Sequence, residues 1–212
     1  MRPSFLTKLS LAAAGLLCGL MIGPARAQDR VSAEMTGIVG KVSAVRGTGA
    51  ARPLALNSKV MVGETVVTAP GARARLKFTD GSVTTLGENT EFRITRYSLN
   101  GDERHVFIDL VTGLARSVVS KMSPKSSFEI QTPTAVAAVR STVFCVEQHT
   151  DGKMEAVVVE GSLAVTSRGA QLARAFYDAG FGTTVMKDKA PIAPEIWEIS
   201  RIDAMRSRAN IP

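Results

Sequence analysis

Few residues in this chain have the type and spacing that chemistry needs. Cys145 sits in the stretch TPTAVAAVRSTVFCVE, residues 132–147, together with Arg140 and Ser141. A thiolate nucleophile needs a base within hydrogen-bond reach, and the chain has two histidines, His105 and His149. His149 follows Cys145 by four residues. On a helix that spacing brings two side chains together; on a strand it separates them by ~13 Å at ~3.3 Å per residue. The surrounding β-branched and aromatic residues point to a strand, and nothing in the sequence brings His105 near. The Ser-His-Gly-Cys pattern of envelope transpeptidases is absent. Cys145 therefore reads as a half-buried small hydrophobe in a scaffold, the usual behaviour of a free cysteine.

Other chemistries find no better footing. There is no His-x-His, no Cys-x-x-Cys and no carboxylate run at calcium-loop spacing, so no metal site is expected. Asp102, Glu103 and His105 crowd a predicted hairpin tip, which reads as a solvated turn. Gly47-x-Gly49 and Gly180-x-Gly182 are too short for a dinucleotide fingerprint, so no cofactor is expected. Arg73, Arg75 and Lys77 alternate along one strand, and Arg93 and Arg96 follow in the next strand region. These five form a possible anion- or partner-binding face. Aromatic residues make up only 5% of the chain, too few for the stacking platforms of nucleic-acid binders. An envelope glycan or an acidic protein patch suits such a face better.

The elements that would hold these residues begin after an export segment. MRPSFLTKLSLAAAGLLCGLMIGPARA combines Arg2 and Lys8, an apolar run from Leu9 to Gly23 and the small-x-small site Ala25-Arg26-Ala27. This is the three-part grammar of a cleavable signal peptide over residues 1–27, with cleavage expected near Ala27/Gln28 and a periplasmic destination. The run is shorter than the ~20 residues of a membrane span, and no other run approaches that length. The mature chain keeps Cys145 but loses Cys18, so no intrachain disulfide can form. Losing Arg2, Lys8 and Arg26 lowers the formal net charge from +7 to +4, a modest basicity.

From Thr36 to Ser167 short Val-, Ile-, Phe- and Thr-rich runs are separated by turn signals every eight to twelve residues. That spacing predicts an all-β domain over residues 28–186. It is either β-solenoid-like or a two-sheet roll or sandwich, with many short, mostly antiparallel strands. Asn100-Gly101 and Asp151-Gly152 predict hairpins over residues 91–111 and 142–161, since these residues tolerate positive φ. Glycines that interrupt apolar alternation, as in VVVEGSLAV, mark bends. Residues 187–212 read as a linker with Pro191 and Pro194, then a helix, EIWEISRIDAMRSR. Pro194 suits its first position, and Ile196, Ile199, Ile202 and Met205 form the stripe expected to pack on the β body.

Several ordered motifs carry a resemblance. GETVVTAPGARARLKFTDGSVTTLGENTEFRI contains Gly63, Glu64, Thr68, Asp80, Gly81, Ser82, Leu86, Gly87, Asn89 and Thr90. It is followed by IDLVTGLARSVV, then by Thr132, Pro133, Arg140, Thr142, Phe144 and Val146, then by VVVEGSLAV with Gly161. Together these resemble the FecR-domain family over roughly residues 60–166. Ser141 stands where the family has Gly, so either Ser is strained or the bend differs. The resemblance implies a noncatalytic binding or signalling module recognising an envelope protein, with the motif residues structural. Thr142, Phe144 and Val146 would face the core, Val143, Cys145 and Glu147 the other side, and the guanidinium of Arg140 would tie carbonyls at a bend. The cytoplasmic region of the family's iron-uptake regulators has no counterpart here, so the resemblance is to exported standalone members. The alternative is a module that binds an envelope glycan or other anion through the basic face.

Overall fold

The computed structural model describes residues 31–169 and 174–211, so the signal segment lies outside the described residues. The strands are β1 (Val31–Val39), β2 (Val42–Arg46), β3 (Arg52–Pro53), β4 (Lys59–Met61), β5 (Glu64–Thr68), β6 (Arg73–Phe78), β7 (Val83–Leu86), β8 (Glu91–Asn100) and β9 (Glu103–Val118). They continue as β10 (Ser127–Gln131), β11 (Ala135–Val139), β12 (Val143–Gln148), β13 (Met154–Glu160), β14 (Ser162–Ser167), β15 (Arg174–Asp178), β16 (Phe181–Val185) and β17 (Glu195–Ile196), before the helix α1 (Ile199–Arg208).

These strands form two layers. The first runs β4-β1-β6-β7-β9-β12-β13-β16-β17. The second runs β3-β2-β5-β8-β9-β10-β11-β14-β15. Strand β9 belongs to both: Glu103–Thr112 pairs in the second layer, and Gly113–Val118 pairs in the first. Every pairing is antiparallel except β9 with β10. The two predicted hairpins are β8–β9 and β12–β13. Because hairpins within one layer alternate with crossings between layers, the molecule is a two-layer roll and not a stack of equal coils.

The core lies between the layers. Alternation supplies it: in RARLKF of β6 the residues Ala74, Leu76 and Phe78 are buried, and in SFEIQ of β10 Phe128 and Ile130 are. Phe78 from the first layer stacks on Tyr97 from the second at 5.8 Å and meets Phe128 edge-on at 6.2 Å, and Phe128 meets Phe144 at 6.4 Å. Such aromatic pairs each add about 0.5–1.5 kcal/mol beyond their buried area.

Crossings between the layers repeatedly use a left-handed residue: Gly40, Asn57, Gly63, Gly71, Asn89, Gly113, Ser141, Gly161 and Gly180 all have positive φ. Gly113, with φ 91°, has a second constraint, since a Cβ there would lie 2.2 Å from Thr90 Oγ1. Ser141 keeps the bend at φ 51°, so the departure from the family glycine is absorbed as local strain of order 1 kcal/mol. Its hydroxyl accepts a hydrogen bond from the Met122 N–H at 3.0 Å.

The helix begins later than the sequence suggests. Pro194 precedes β17, whose Glu195 and Ile196 pair with Gly182 and Phe181, and α1 starts at Ile199 after Glu198. Pairing at the sheet edge outcompetes helix initiation at Pro194. The packed stripe also shifts: Ile196 and Ile199 are 72% and 76% exposed, while Trp197, Met205 and Ala209 are buried. Ile202 is partly buried against them.

Candidate recognition surfaces

The outer face of the first layer is closed by the chain itself. Leu114 on β9, Cys145 on β12 and Val157 on β13 point outward and form a second apolar cluster with Trp197, Met205 and Ala209. Gly182 lets the indole ring lie directly on β16, since a Cβ there would sit 2.3 Å from it. Arg201 stacks over the same ring at 3.5 Å. Beyond the helix, Arg73 donates to the carbonyl of Asn210 at 3.1 Å, and Arg75 donates to that of Ile211. The C-terminal segment thus spans the layer from β16 to β6.

Cys145 is fully buried here, deeper than its expected half-burial. Burial pushes the thiol pKa up to about 12, against smaller opposing contributions from Arg116 and Arg206. A neutral, enclosed thiol is no nucleophile. Phe144 and Val146 face the main core and Cys145 the helix, as the alternation predicts.

Around this cover lies an ion cluster that sequence reasoning missed. Glu147 accepts two hydrogen bonds from Arg208, one at 2.8 Å. Glu155 lies 2.8 Å from both His149 Nε2 and Arg201 Nη2, with Lys153 Nζ at 3.4 Å. Burial acts to raise the Glu155 pKa, but the hydrogen bonds from His149 and Arg201 outweigh it and hold the carboxyl below its ordinary value. One ligand atom from each of Glu147, His149 and Glu155 lies within 4.8 Å of the others, a donor set a divalent cation can accept. Arg201 and Arg208 already occupy the carboxylate oxygens, however, and add positive charge beside them. The arrangement is a clamp between helix and sheet. Glu147 and Glu155 lie on β12 and β13 and His149 and Lys153 in the turn between them, but the two arginines come from a helix far along the chain, so the local spacing does not announce the clamp.

The five basic residues do not share one face. Arg73, Arg75 and Lys77 belong to β6 in the first layer, and Arg93 and Arg96 to β8 in the second. Inward neighbours on both strands line the common core, so the two groups point to opposite sides. Arg73 and Arg75 are engaged by the C-terminal segment; Arg96 lies over the Phe107 ring at 5.6 Å.

The family motif residues build corners. Asp80 accepts from Ser82 N–H and Oγ at 2.9 and 3.0 Å across Gly81, and is paired with Arg104 at 2.9 Å. The Asp80 side chain is 1% exposed. Arg104 also donates to Ser120 and Lys121. Nothing local marks Arg104, which sits in the hairpin tip expected to be solvated; a buried Asp-Gly-Ser aspartate requires such a cation somewhere. Glu64, after Gly63, accepts two bonds from Arg52 at 2.9 Å. Thr68 donates to the Gly87 carbonyl at 2.7 Å and accepts from the Thr90 N–H at 2.9 Å, holding the Leu86–Thr90 corner around Asn89. Thr132 turns the chain beside exposed Pro133, accepting from the Ala135 N–H at 3.0 Å. The guanidinium of Arg140 is exposed and does not tie the bend. Thr142 does so, donating to the carbonyls of Arg140 and Ser162 at 2.9 Å, close against Gly161.

The outer face of the second layer is different. In register across it stand Arg96, Phe107, Glu129, Ala138, Ala164 and Phe176. Ala138 and Ala164 leave a trough of about 400 Å³, walled by Glu129 and Phe176 and ending near Arg140, Ser127 and Ser162. Phe176 is 67% exposed. Among the described residues no part of the chain covers this trough.

Comparisons with known proteins add a family and a fold. Residues 64–164 match the family model described as FecR protein. Two crystal structures of a protein provisionally assigned as an anti-sigma factor from Parabacteroides distasonis ATCC 8503, at 1.65 and 2.50 Å, are similar in fold. They give TM-scores of 0.54 and 0.53 at 20% and 21% identity, over 66% and 65% of this chain. The chain spans 63% and 61% of their length, under two thirds. No curated protein matches.

Proposed function

We propose that this chain, which carries a FecR domain over residues 64–164 and so belongs to the FecR-domain family, is a noncatalytic, exported binding and signalling module. It recognises a protein partner of the cell envelope from the periplasm. The observation that carries this reading is the uncovered trough floored by Ala138 and Ala164, beside a first layer whose outer face the chain closes for itself. A groove of small residues between an aromatic and a charged wall suits a protein segment, with apolar contact at its centre and a polar rim. The family is one of signalling regulators, and the structurally similar anti-sigma factor assignment supports a protein as the partner class. The only thiol among the described residues is enclosed and neutral, which supports a role without nucleophilic chemistry.

The anionic-ligand reading would use a basic sheet face, above all Arg73, Arg75 and Lys77. Arg73, Arg75 and Lys77 do share β6, but Arg73 and Arg75 already donate to C-terminal carbonyls, which supports the protein-partner reading over this one.

The test is affinity co-purification from a periplasmic extract, comparing the natural protein with Ala138→Arg. An envelope protein recovered in stoichiometric amount with the first and lost with the second supports the reading. Equal recovery with both overturns the trough as the site; recovery of glycan alone overturns the protein partner.

A further inference from the structure

Of the four terminal strands, one is left open among the described residues. In the first layer, β4 has three residues and β17 two, the latter next to Pro194. In the second layer β3 has two residues and ends in Pro53, which has no N–H to offer. These are the devices by which proteins blunt sheet edges. Strand β15 has five residues, pairs with β14 on one side, and carries neither proline nor bulge. Among the described residues no backbone group bonds it on the far side.

Its sequence is RAFYD. Arg174, Phe176 and Asp178 face outward and are exposed, while Tyr177 is buried and donates to the Ile192 carbonyl at 2.7 Å. Charge is therefore placed symmetrically about Phe176, positive two residues before and negative two residues after. An antiparallel partner strand centred on Phe176 that would satisfy this pattern carries an acid opposite Arg174, an aromatic opposite Phe176 and a base opposite Asp178. The strand itself meets that description. We propose that β15 is a self-association edge, at which a second copy of this chain pairs antiparallel about a two-fold axis through Phe176.

The two-fold makes the charge contact count twice: two Arg174–Asp178 pairs flank one Phe176–Phe176 contact on the axis. Such a self-complementary patch is what an isologous interface requires. Opposite charges and aromatic pairs across strands stabilise pairing, and like charges directly opposite destabilise it. In the monomer Arg174 lies over the Phe176 ring at 4.9 Å, so the cation is already held at the edge. Pairing would continue the second layer across two copies and place their troughs on the same side. This association uses Arg174 and Phe176, which also line the trough, so it borders partner recognition at Ala138, on β11, and is told apart from it by substituting Arg174 and Asp178 rather than Ala138.

The test is sedimentation velocity of the purified protein over a concentration series, with thermal melting to verify folding. A concentration-dependent dimer is expected. Arg174→Asp alone, which sets acid against acid twice, is expected to weaken the dimer at least tenfold, and Asp178→Arg alone to do the same. The double variant Arg174→Asp with Asp178→Arg exchanges the charges and is expected to restore association. Both substituted positions are exposed, so the melts should coincide. A monomer at every concentration overturns the proposal, as does a dimer indifferent to both single variants or a double variant that does not recover.

Discussion

On the outer face of the first layer, Cys145 and Val157 lie beneath Trp197 and Met205. On the outer face of the second, Ala138 and Ala164 floor a trough that no further element of the described chain crosses, although Ala164 is itself buried among its neighbours. Both faces come from strands with the same two-residue alternation. They differ in what stands at the outward positions. Large apolar residues there require cover, since each buried side chain of this size contributes about 1.5–3 kcal/mol. Small ones require none and leave a trough. The chain thus spends its C-terminal segment on the face that cannot remain wet, and the other face remains available to a partner.

Removing the cover is the largest way to break this contrast. Trp197→Ala deletes the ring that lies on Gly182 and under Arg201. Buried Trp-to-Ala changes cost about 3–5 kcal/mol, so a large fall in the melting temperature is expected. Cys145 serves as the reporter: a thiol reagent that does not label the natural protein should label the variant. A variant that melts lower while Cys145 stays protected would show that the helix covers the face without its tryptophan.

A smaller effect falls on the energy of the thiol itself. Cys145→Ala leaves a sulfur-sized gap between β12 and the helix, and a deletion of that size costs about 1 kcal/mol. Partner recovery should be unchanged. Loss of the partner with folding intact would place function on the covered face and reverse the comparison.

Acid should loosen the clamp by less again. The folded-state pKa of Glu155 is below its ordinary value, burial being outweighed by His149 and Arg201. The unfolded chain therefore binds this proton first as pH falls. Its contribution is present in full above about pH 4.3, the unfolded value, and is lost as pH falls through the lower folded value. Chemical denaturation of the natural protein and of Glu155→Gln between pH 6 and pH 3 measures this. The natural protein should lose more stability over that interval; equal losses would show that the clamp carries no proton linkage.

How much of this contrast could be read from the residues depends on which layer is considered. SFEIQ of β10 alternates cleanly and its burial follows, whereas AVAAV of β11 is apolar throughout and its alternating burial is not written in its residues. The interrupting glycines announce bends, but positive φ serves both hairpins and crossings, so the layer of each strand is not encoded locally. The cover had a signal: β13 reads MEAVVVE, and a run of three valines is the mark of a strand buried on both sides, with Val157 and Val158 burying opposite faces. What hides on that second face is set by residues forty or more positions away. The clamp arginines lie 46 and 61 positions from their acids, Arg104 lies 24 from Asp80, and the late helix start depends on pairing between separate strands; a pattern of neighbours cannot report any of them.

The smallest effect belongs to the open face, and it completes the contrast. Ala138→Arg places a long cation on the trough floor, where its stem can lie along Phe176 and its head can reach water. Surface substitutions of this kind change stability by about 0.5 kcal/mol or less. Its melting temperature should therefore match that of the natural protein while the envelope partner is lost. A matched change under the helix, Val157→Arg, buries the same cation against Cys145 and Trp197, where the neighbouring acids Glu147 and Glu155 are already engaged by Arg208 and Arg201. A pronounced loss of stability in that variant beside near-neutrality at Ala138 would mean that the two faces differ in solvation, as the structure has them. Comparable losses would mean that the second layer is also covered, and the partner would then have to bind elsewhere.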